Sequence, residues 1–102
     1  MFELRQTQIF AEWLADLKDI EAVKLIKRRV ARLEAGLFGD TKHVGHGVLE
    51  LRVHHGPGYR VYYTKRGDLL LLLLVGGDKG SQANDIDKAI ELARSFQDSN
   101  HE

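Results

Sequence analysis

Apolar residues recur every three or four positions along two stretches near the start of the chain, which is the period of one face of an α-helix. Thr7 precedes the first stretch and Asp19 precedes the second, and both residue types accept hydrogen bonds from the free N–H groups that begin a helix. Gly36 and Gly39 follow the second stretch and predict its end. The predicted buried faces comprise Phe10, Trp13, Leu14 and Leu17 in the first helix and Val23, Ile26, Val30, Leu33 and Leu37 in the second.

Alternation of apolar and polar residues, the period of a β-strand, marks the predicted sheet. The predicted strands are a short one at Phe2 and Leu4 before the helices, then Val48–His54, Tyr59–Thr64 and Leu69–Val75. The last of these is apolar on both faces, so we expect both faces to be covered and Gly76-Gly77 to end the strand. A final helix is predicted over Gln82–Gln97, and its inward residues are Ile86, Ala89, Ile90, Ala93 and Phe96.

The order of the predicted elements is β-α-α-β-β-β-α, in one domain of residues 1–102 with a frayed tail at 98–102. Two helices followed by strands that short turns connect favour an antiparallel meander packed against helices. The predicted fold class is therefore α+β.

The composition excludes several classes of protein and is consistent with the predicted fold. The chain has 102 residues, 43% of them apolar and 29% charged, and it contains no cysteine. A disulfide framework, a thiol nucleophile and a cysteine zinc site are therefore excluded. The longest apolar run, Leu69–Val75, is too short to cross a bilayer, and the first residues do not resemble a signal peptide. We expect a cytoplasmic protein with no membrane partner.

Charge is distributed unevenly although the formal net charge is zero. Residues 1–66 hold twelve Lys and Arg against eight Asp and Glu, while residues 67–102 hold three against seven. Residues 42–66 alone contain five Lys and Arg and one Glu. This basic zone suits an anionic partner, and we expect an acidic segment of a partner protein to bind there or close by. The alternative is that these charges only solvate the surface.

The predicted hairpin of the second and third strands concentrates the candidate chemistry. Matching its apolar faces places Arg52 opposite Arg60, and Glu50 opposite Tyr62. Two facing arginines repel unless an anion lies between them, and arginine suits bidentate contacts with phosphate. Tyr62 offers a ring for base stacking, and His54 can exchange a proton near neutral pH. Alternatively, Arg52 pairs with Glu50 or a helix carboxylate, and the face is merely solvated.

Two other segments are weaker candidates. The glycine-rich Gly76–Gln82 turn could expose backbone N–H groups to phosphate, although a plain helix cap at Ser81 accounts for it better. The histidines between 43 and 55 lack the spacing of a zinc site. We therefore expect neither a metal nor a cofactor.

Several motifs together resemble one known family. They are Glu50-Leu51-Arg52, Gly58–Tyr63 (GYRVYY), the leucine strand, Gly76–Gln82 (GGDKGSQ) and Asp85-Ile86. In combination they are similar to the phage-related HigB-like branch of the RelE/ParE toxin superfamily, often called addiction module killer proteins. The resemblance covers nearly the whole chain and agrees with the element order.

This resemblance implies a RelE/ParE-like fold, a compact sheet with two N-terminal helices packed on it. It also implies the toxin of a type II toxin–antitoxin system, a ribosome-dependent mRNA endonuclease that inhibits translation. In such toxins the ribose 2′-hydroxyl attacks the adjacent phosphate. The implied partners are the ribosome, mRNA and a cognate helix-turn-helix antitoxin that neutralises the toxin.

The resemblance also assigns roles to individual residues. Arg60 matches the strand arginine that contacts the scissile phosphate, and Lys79 matches a basic residue after the last core strand. Val48 and Glu50 stand where RelE-type toxins carry two lysines, so Glu50, His54 or another histidine would have to act as the base. The catalytic candidates are thus Arg60, Lys79, His54 and Glu50, and the RNA-binding candidates are Arg52, Tyr62, Lys65 and Arg66.

Two other functions fit the same fold. One is a ParE-like inhibitor that binds DNA gyrase and cleaves nothing, which the near-zero net charge favours. The other is an inactive module that only binds its antitoxin. Because fold does not determine function, the sequence leaves all three open.

Overall fold

Five strands and three helices build the domain. The computed structural model describes residues 1–99 of the chain. The strands are β1 (Glu3–Gln6), β2 (Thr41–Gly45), β3 (Val48–Val53), β4 (Tyr59–Arg66) and β5 (Leu70–Asp78). The helices are α1 (Gln8–Asp16), α2 (Ile20–Glu34) and α3 (Gln82–Ser99), with a 3-10 turn at Lys79–Ser81 before α3. The predicted α+β class is confirmed.

All five strands form one sheet in the order β1-β5-β4-β3-β2. Strands β2 to β5 make the predicted antiparallel meander, and β1 pairs in parallel with β5 at the other edge. The predicted hairpin register is confirmed, since Arg52 pairs with Arg60 and Glu50 pairs with Tyr62. The sheet therefore brings the two arginines side by side.

Strand β2 was absent from the predicted element order. It carries one aliphatic residue, Val44, among polar neighbours, and it pairs with β3 alone at the sheet edge. Its turn into β3 consists of His46 and Gly47, whose φ angles of 52° and 79° are both positive. Two positive φ values match the right-handed twist of a tight hairpin, and Gly47 adopts its value without a Cβ clash. His-Gly was the only local signal for this hairpin.

Helices cover both faces of the sheet. The predicted caps are confirmed, because Thr7 accepts from the Phe10 N–H at 3.0 Å and Asp19 accepts from the Ala22 N–H at 3.1 Å. Helices α1 and α2 pack on one face over a core that includes Phe10, Ala22, Ile26, Leu33, Leu51, Val61, Tyr63 and Leu71. Helix α3 packs on the other face over Val48, Tyr62, Leu72, Leu74 and Val75. Leucines of β5 thus contribute to both cores, as their two-sided apolar pattern predicts.

Some predicted details are wrong. Leu37 is 59% exposed, because α2 ends at Glu34 and the neighbouring Phe38 packs against the core instead. Phe96 is also exposed, although it lies on the predicted inward face of α3. Helix α3 runs through the first two residues of the predicted frayed tail, to Ser99, while residues 100–102 lie outside the described residues. None of the helices among residues 1–99 is long and apolar enough to cross a membrane.

Strand β5 continues through Gly76-Gly77 to Asp78, so the prediction that these glycines end the strand is wrong. Both glycines are buried, and neighbouring side chains occupy the space that a Cβ would fill. An ideal Cβ on Gly76 would lie 2.1 Å from a ring carbon of Trp13, and one on Gly77 would lie 1.8 Å from Asp85 Oδ2. These glycines therefore serve close packing on the two faces of the strand.

We expect Gly76→Ala to lower the free energy of unfolding by about 1–3 kcal/mol, because the methyl group must displace the partly buried indole of Trp13. Urea denaturation measures the change. Gly80→Ala is the matched control, since its Cβ would approach only the flexible Asp78 side chain, at 3.2 Å. Equal effects of the two substitutions would contradict this explanation.

Candidate functional site

A buried carboxylate lies at the centre of the site, on the face of the sheet that α3 covers. Glu50 is fully buried, and four side chains surround its two oxygens. Arg52 Nε donates to Oε1 at 3.0 Å, while the Tyr62 hydroxyl and Gln82 Nε2 donate to Oε2 at 3.0 and 2.9 Å. Arg60 Nε lies 3.5 Å from Oε2, an ion-pair distance. Glu50 thus links β3, β4 and the start of α3.

These contacts keep Glu50 ionised. Burial raises the pKa of a carboxyl group, but the hydrogen bonds from Arg52, Gln82 and Tyr62 and the charge of Arg60 outweigh it and hold the pKa of Glu50 below its usual value. Burial and the bond to Glu50 raise the pKa of Tyr62, so its hydroxyl remains a donor. A buried, fully engaged carboxylate anchors its neighbours and has no free face toward a substrate.

The two arginines reach the surface on either side of this anchor. Their side chains are 31% exposed for Arg52 and 13% exposed for Arg60. Arg60 Nη1 also donates to the carbonyl of Gly58 at 3.0 Å, which fixes the direction of its guanidinium. Of the alternatives that the sequence left open, the pairing of Arg52 with Glu50 is present. Among the described residues, Glu50 is the carboxylate within ion-pair distance of both guanidinium groups, and its single negative charge is smaller than their combined positive charge.

The start of α3 closes one side of the site. Gly77 pairs with Arg60 in the sheet, and the Asp85 side chain occupies the space above Gly77. Asp78 caps the 3-10 turn by accepting from the N–H groups of Gly80 and Ser81, at 2.8 and 3.2 Å. The residue predicted as the cap, Ser81, instead donates to Asp85 and accepts from the Asp78 N–H.

Lys79 lies on the same side as Arg60. Gly58 separates them, since its ideal Cβ would be 3.5 Å from Arg60 Nη1 and 3.8 Å from Lys79 Cβ. The Lys79 side chain belongs to an exposed residue of the 3-10 turn. The structure therefore brings together three of the predicted cations, Arg52, Arg60 and Lys79.

His54 lies just beyond the end of β3, two residues after Arg52, and is well exposed. Its Nε2 is hydrogen-bonded to Asp40. The bond from His54 lowers the pKa of Asp40, and the charges of Arg52 and Arg29 lower it further. Nε2 of the adjacent His55 is hydrogen-bonded, at 3.1 Å, to Oδ2 of Asp19, the residue that caps α2. Among residues 1–99 no group of three side chains is arranged to hold a metal ion.

Three RNA-binding candidates are placed differently from the arginine pair. Tyr62 is completely buried under α3, so its ring has no free face for a base. Lys65 and Arg66 lie at the far end of β4, about 16–20 Å from Arg60 at 3.3 Å per residue. Lys65 Nζ lies 5.5 Å from the centre of the Phe2 ring, and Arg66 donates to the Ala93 carbonyl.

Sequence reasoning assigned no role to Gln82, Asp40 or Asp85. Gln82 belongs to the GGDKGSQ motif, but its role becomes clear only because Glu50 is buried and Gln82 donates a hydrogen bond to that carboxylate. Asp40 precedes the unpredicted strand β2, so nothing in the linear pattern brought it near His54. Both contacts join residues distant in the chain, and only the folded sheet makes them apparent.

Comparisons with known proteins identify relatives of this chain and a solved structure with a similar fold. The chain is 44% identical over 94 residues to an uncharacterized protein of Haemophilus influenzae, covering 92% of this chain and 95% of that protein. A chain of the intact E. coli RelBE toxin–antitoxin complex superposes with a TM-score of 0.60 at 18% identity, over 76% of this chain and 96% of that one. The predicted RelE-like fold is thereby confirmed. Residues 12–97 match the family described as Phage derived protein Gp49-like (DUF891), and the chain therefore belongs to the phage-derived Gp49-like proteins.

Proposed function

We propose that this chain is the toxin of a type II toxin–antitoxin pair, of the HigB-like kind, and that it cleaves mRNA on the ribosome. The observation that carries the proposal is the pair of arginines, Arg52 and Arg60, which one buried carboxylate holds side by side at the surface. The RelE-like fold supports a toxin, because the similar chain comes from a toxin–antitoxin complex. A ribosomal target would place the protein in the cytoplasm.

The arginine pair suits a phosphodiester. Glu50 engages the Nε atoms, so the terminal nitrogens of Arg52 and Nη2 of Arg60 can donate to phosphate oxygens. Because Glu50 and Gly58 position these groups in advance, little reorganisation is required as negative charge develops on the phosphate. The remaining positive charge therefore favours the transition state over the bound substrate.

His54 is the proposed general base. Imidazole exchanges protons readily at neutral pH, and Asp40 orients it through the hydrogen bond to Nε2. His54 Nδ1 takes the proton of the ribose 2′-hydroxyl, and that oxygen attacks phosphorus while the bond to the 5′-oxygen breaks. The Lys79 ammonium donates a proton to the leaving oxygen. The products are a 2′,3′-cyclic phosphate and a 5′-hydroxyl, and Glu50 acts as a positioning residue throughout.

The proposed partners follow from this function. The ribosome presents the mRNA, and a small antitoxin with a helix-turn-helix DNA-binding domain neutralises the toxin. Lys65 and Arg66, far from the arginine pair, would contact RNA backbone or the antitoxin instead of the scissile phosphate. An adjacent reading frame that encodes a helix-turn-helix protein would support the pairing.

We expect expression of the chain alone to arrest growth through translation. Pulse labelling after induction should show methionine incorporation falling before thymidine incorporation, because cleaved mRNA stops protein synthesis first. Lys24→Ala, an exposed change on α2, should behave like the wild type. If thymidine incorporation falls first while translation continues, the chain is a gyrase inhibitor and the nuclease proposal is wrong.

A further inference from the structure

A groove opens on the α1–α2 side of the sheet, at the end remote from the arginine pair. Its volume is about 530 Å³. Its apolar walls are Phe38, Leu49, Tyr63 and Leu71. Tyr63 is nearly fully buried, and its hydroxyl is 3.0 Å from Thr41 Oγ1, so the floor offers little unsatisfied polarity. The groove favours large apolar side chains.

A basic cavity lies on the α3 side of the same sheet end. It has a volume of about 230 Å³, and its charged or titratable lining residues are His46, Lys65, Arg66 and Arg94. Arg66 is fixed by its bond to the Ala93 carbonyl. The Lys65 ammonium lies over the ring of Phe2, which packs against the α1–α2 side core, so Arg66 and Arg94 supply the fixed positive charge of the cavity. Within residues 1–99, none of the four lining residues forms an ion pair with a carboxylate. The cavity therefore favours anionic groups.

The groove and the cavity are continuous. Gly47 and Lys65 line both, so the β2–β3 turn and the end of β4 form the ridge between them. Neither lining includes a carboxylate among the described residues. A ligand that matches the whole surface must present apolar anchors on one side of the ridge and negative charges on the other.

We propose that this surface, formed by the groove and the cavity, binds an acidic segment of the partner protein that carries a large apolar anchor residue. The proposal rests on the proposed function, in which that partner is the antitoxin. Charge complementarity and the apolar groove together favour a polypeptide over RNA. Stacking of an RNA base needs an exposed aromatic face, whereas Tyr63 is buried in the core and Phe38 is partly buried against it.

The position of this surface separates partner binding from chemistry. Lys65 lies five residues along β4 from Arg60, about 16 Å away. A segment bound here contacts neither Arg52 nor Arg60 directly. A change at Arg94, which is not among the RNA-binding candidates, should therefore alter neutralisation without altering cleavage.

The experiment uses Arg94→Glu, an exposed residue that lines the basic cavity, with Arg28→Glu on the exposed side of α2 as the charge-matched control. Calorimetry measures binding of overlapping peptides that span the protein encoded next to this chain, and of a short single-stranded RNA. We expect one acidic peptide to bind the wild type and the Arg28→Glu control with equal affinity, and to bind Arg94→Glu about tenfold or more weakly. Binding should also weaken as salt concentration rises.

Two further measurements complete the test. Leu49→Ala, which removes one apolar wall of the groove, should weaken binding of the same peptide. Circular dichroism should show that every variant folds. In cells, Arg94→Glu should still arrest growth but should no longer be rescued by the neighbouring protein. Equal peptide binding by Arg94→Glu and the wild type overturns the proposal. A substitution that weakens the binding of RNA and of no peptide also overturns it. If the wild type fails to arrest growth, the proposed function is wrong, whatever the peptide result.

Discussion

Replacing Arg60 by alanine should lower cleavage of ribosome-bound mRNA by about a hundredfold. A positioned charge contact that strengthens in the transition state contributes on the order of 3 kcal/mol, which corresponds to that factor in rate. Arg60 meets this condition because Glu50 and Gly58 fix its guanidinium before a substrate arrives. The rate should fall more than the affinity for RNA, and toxicity should be lost.

The folded state should survive this substitution. Glu50 keeps its hydrogen bonds from Arg52, Tyr62 and Gln82 when Arg60 is removed. Circular dichroism and thermal melting provide the folding control, and Arg28→Ala on the exposed side of α2 provides the charge control. Arg60→Lys should restore only part of the activity, because an ammonium group cannot reproduce the two-pronged donor. A folded Arg60→Ala protein that cleaves at the wild-type rate removes Arg60 from the site.

Replacing Glu50 by alanine should have the largest effect on stability. The substitution leaves two guanidinium groups, a tyrosine hydroxyl and a glutamine amide around a cavity with no anion. Removing one partner from a buried charge pair costs about 3–5 kcal/mol. Urea unfolding should show this loss, whereas Glu12→Ala, at an exposed position on α1, should change stability by about 0.5 kcal/mol or less. A small effect at Glu50 would mean that the arginines do not depend on it.

The pH dependence of stability offers an independent check on Glu50. Its pKa is lower in the folded state than the ordinary value of 4.5, so its ionised form contributes stability above that pH. This contribution is lost as the pH falls through the lower, folded-state pKa. Glu50→Gln cannot titrate, so the acid side of its stability curve should be flatter than that of the wild type. Curves of equal slope would show that Glu50 does not carry this linkage.

Local patterns predicted the parts of the fold that depend on local physics. Thr7 and Asp19 cap helices through bonds to residues three positions away, and such signals are visible in the sequence. The pairing of Arg52 with Arg60 was also predictable, because alternation fixes which residues of a hairpin share a face. The arginine half of the candidate site was therefore accessible without a structure.

The burial of Glu50 was not predictable in this way. Alternation assigned Glu50 and Tyr62 to a polar face, and only the packing of α3 on that face removes them from water. The covering helix lies some thirty residues further along the chain, as the Glu50–Gln82 bond shows with its separation of 32 residues. Predicting the burial of Glu50 requires knowing which face of the sheet α3 covers. The spacing of apolar residues along the chain does not indicate that face.

That long-range bond also sets an order of events during synthesis. The N-terminal strand β1 hydrogen-bonds to β5, and the arginine pair shares its anion with Gln82, so both assemblies wait for the last third of the chain. A growing polypeptide whose α3 is still inside the exit tunnel holds Arg52 and Arg60 without their completed support. The arginine pair is therefore completed only after residues well beyond Gln82 have left the ribosome.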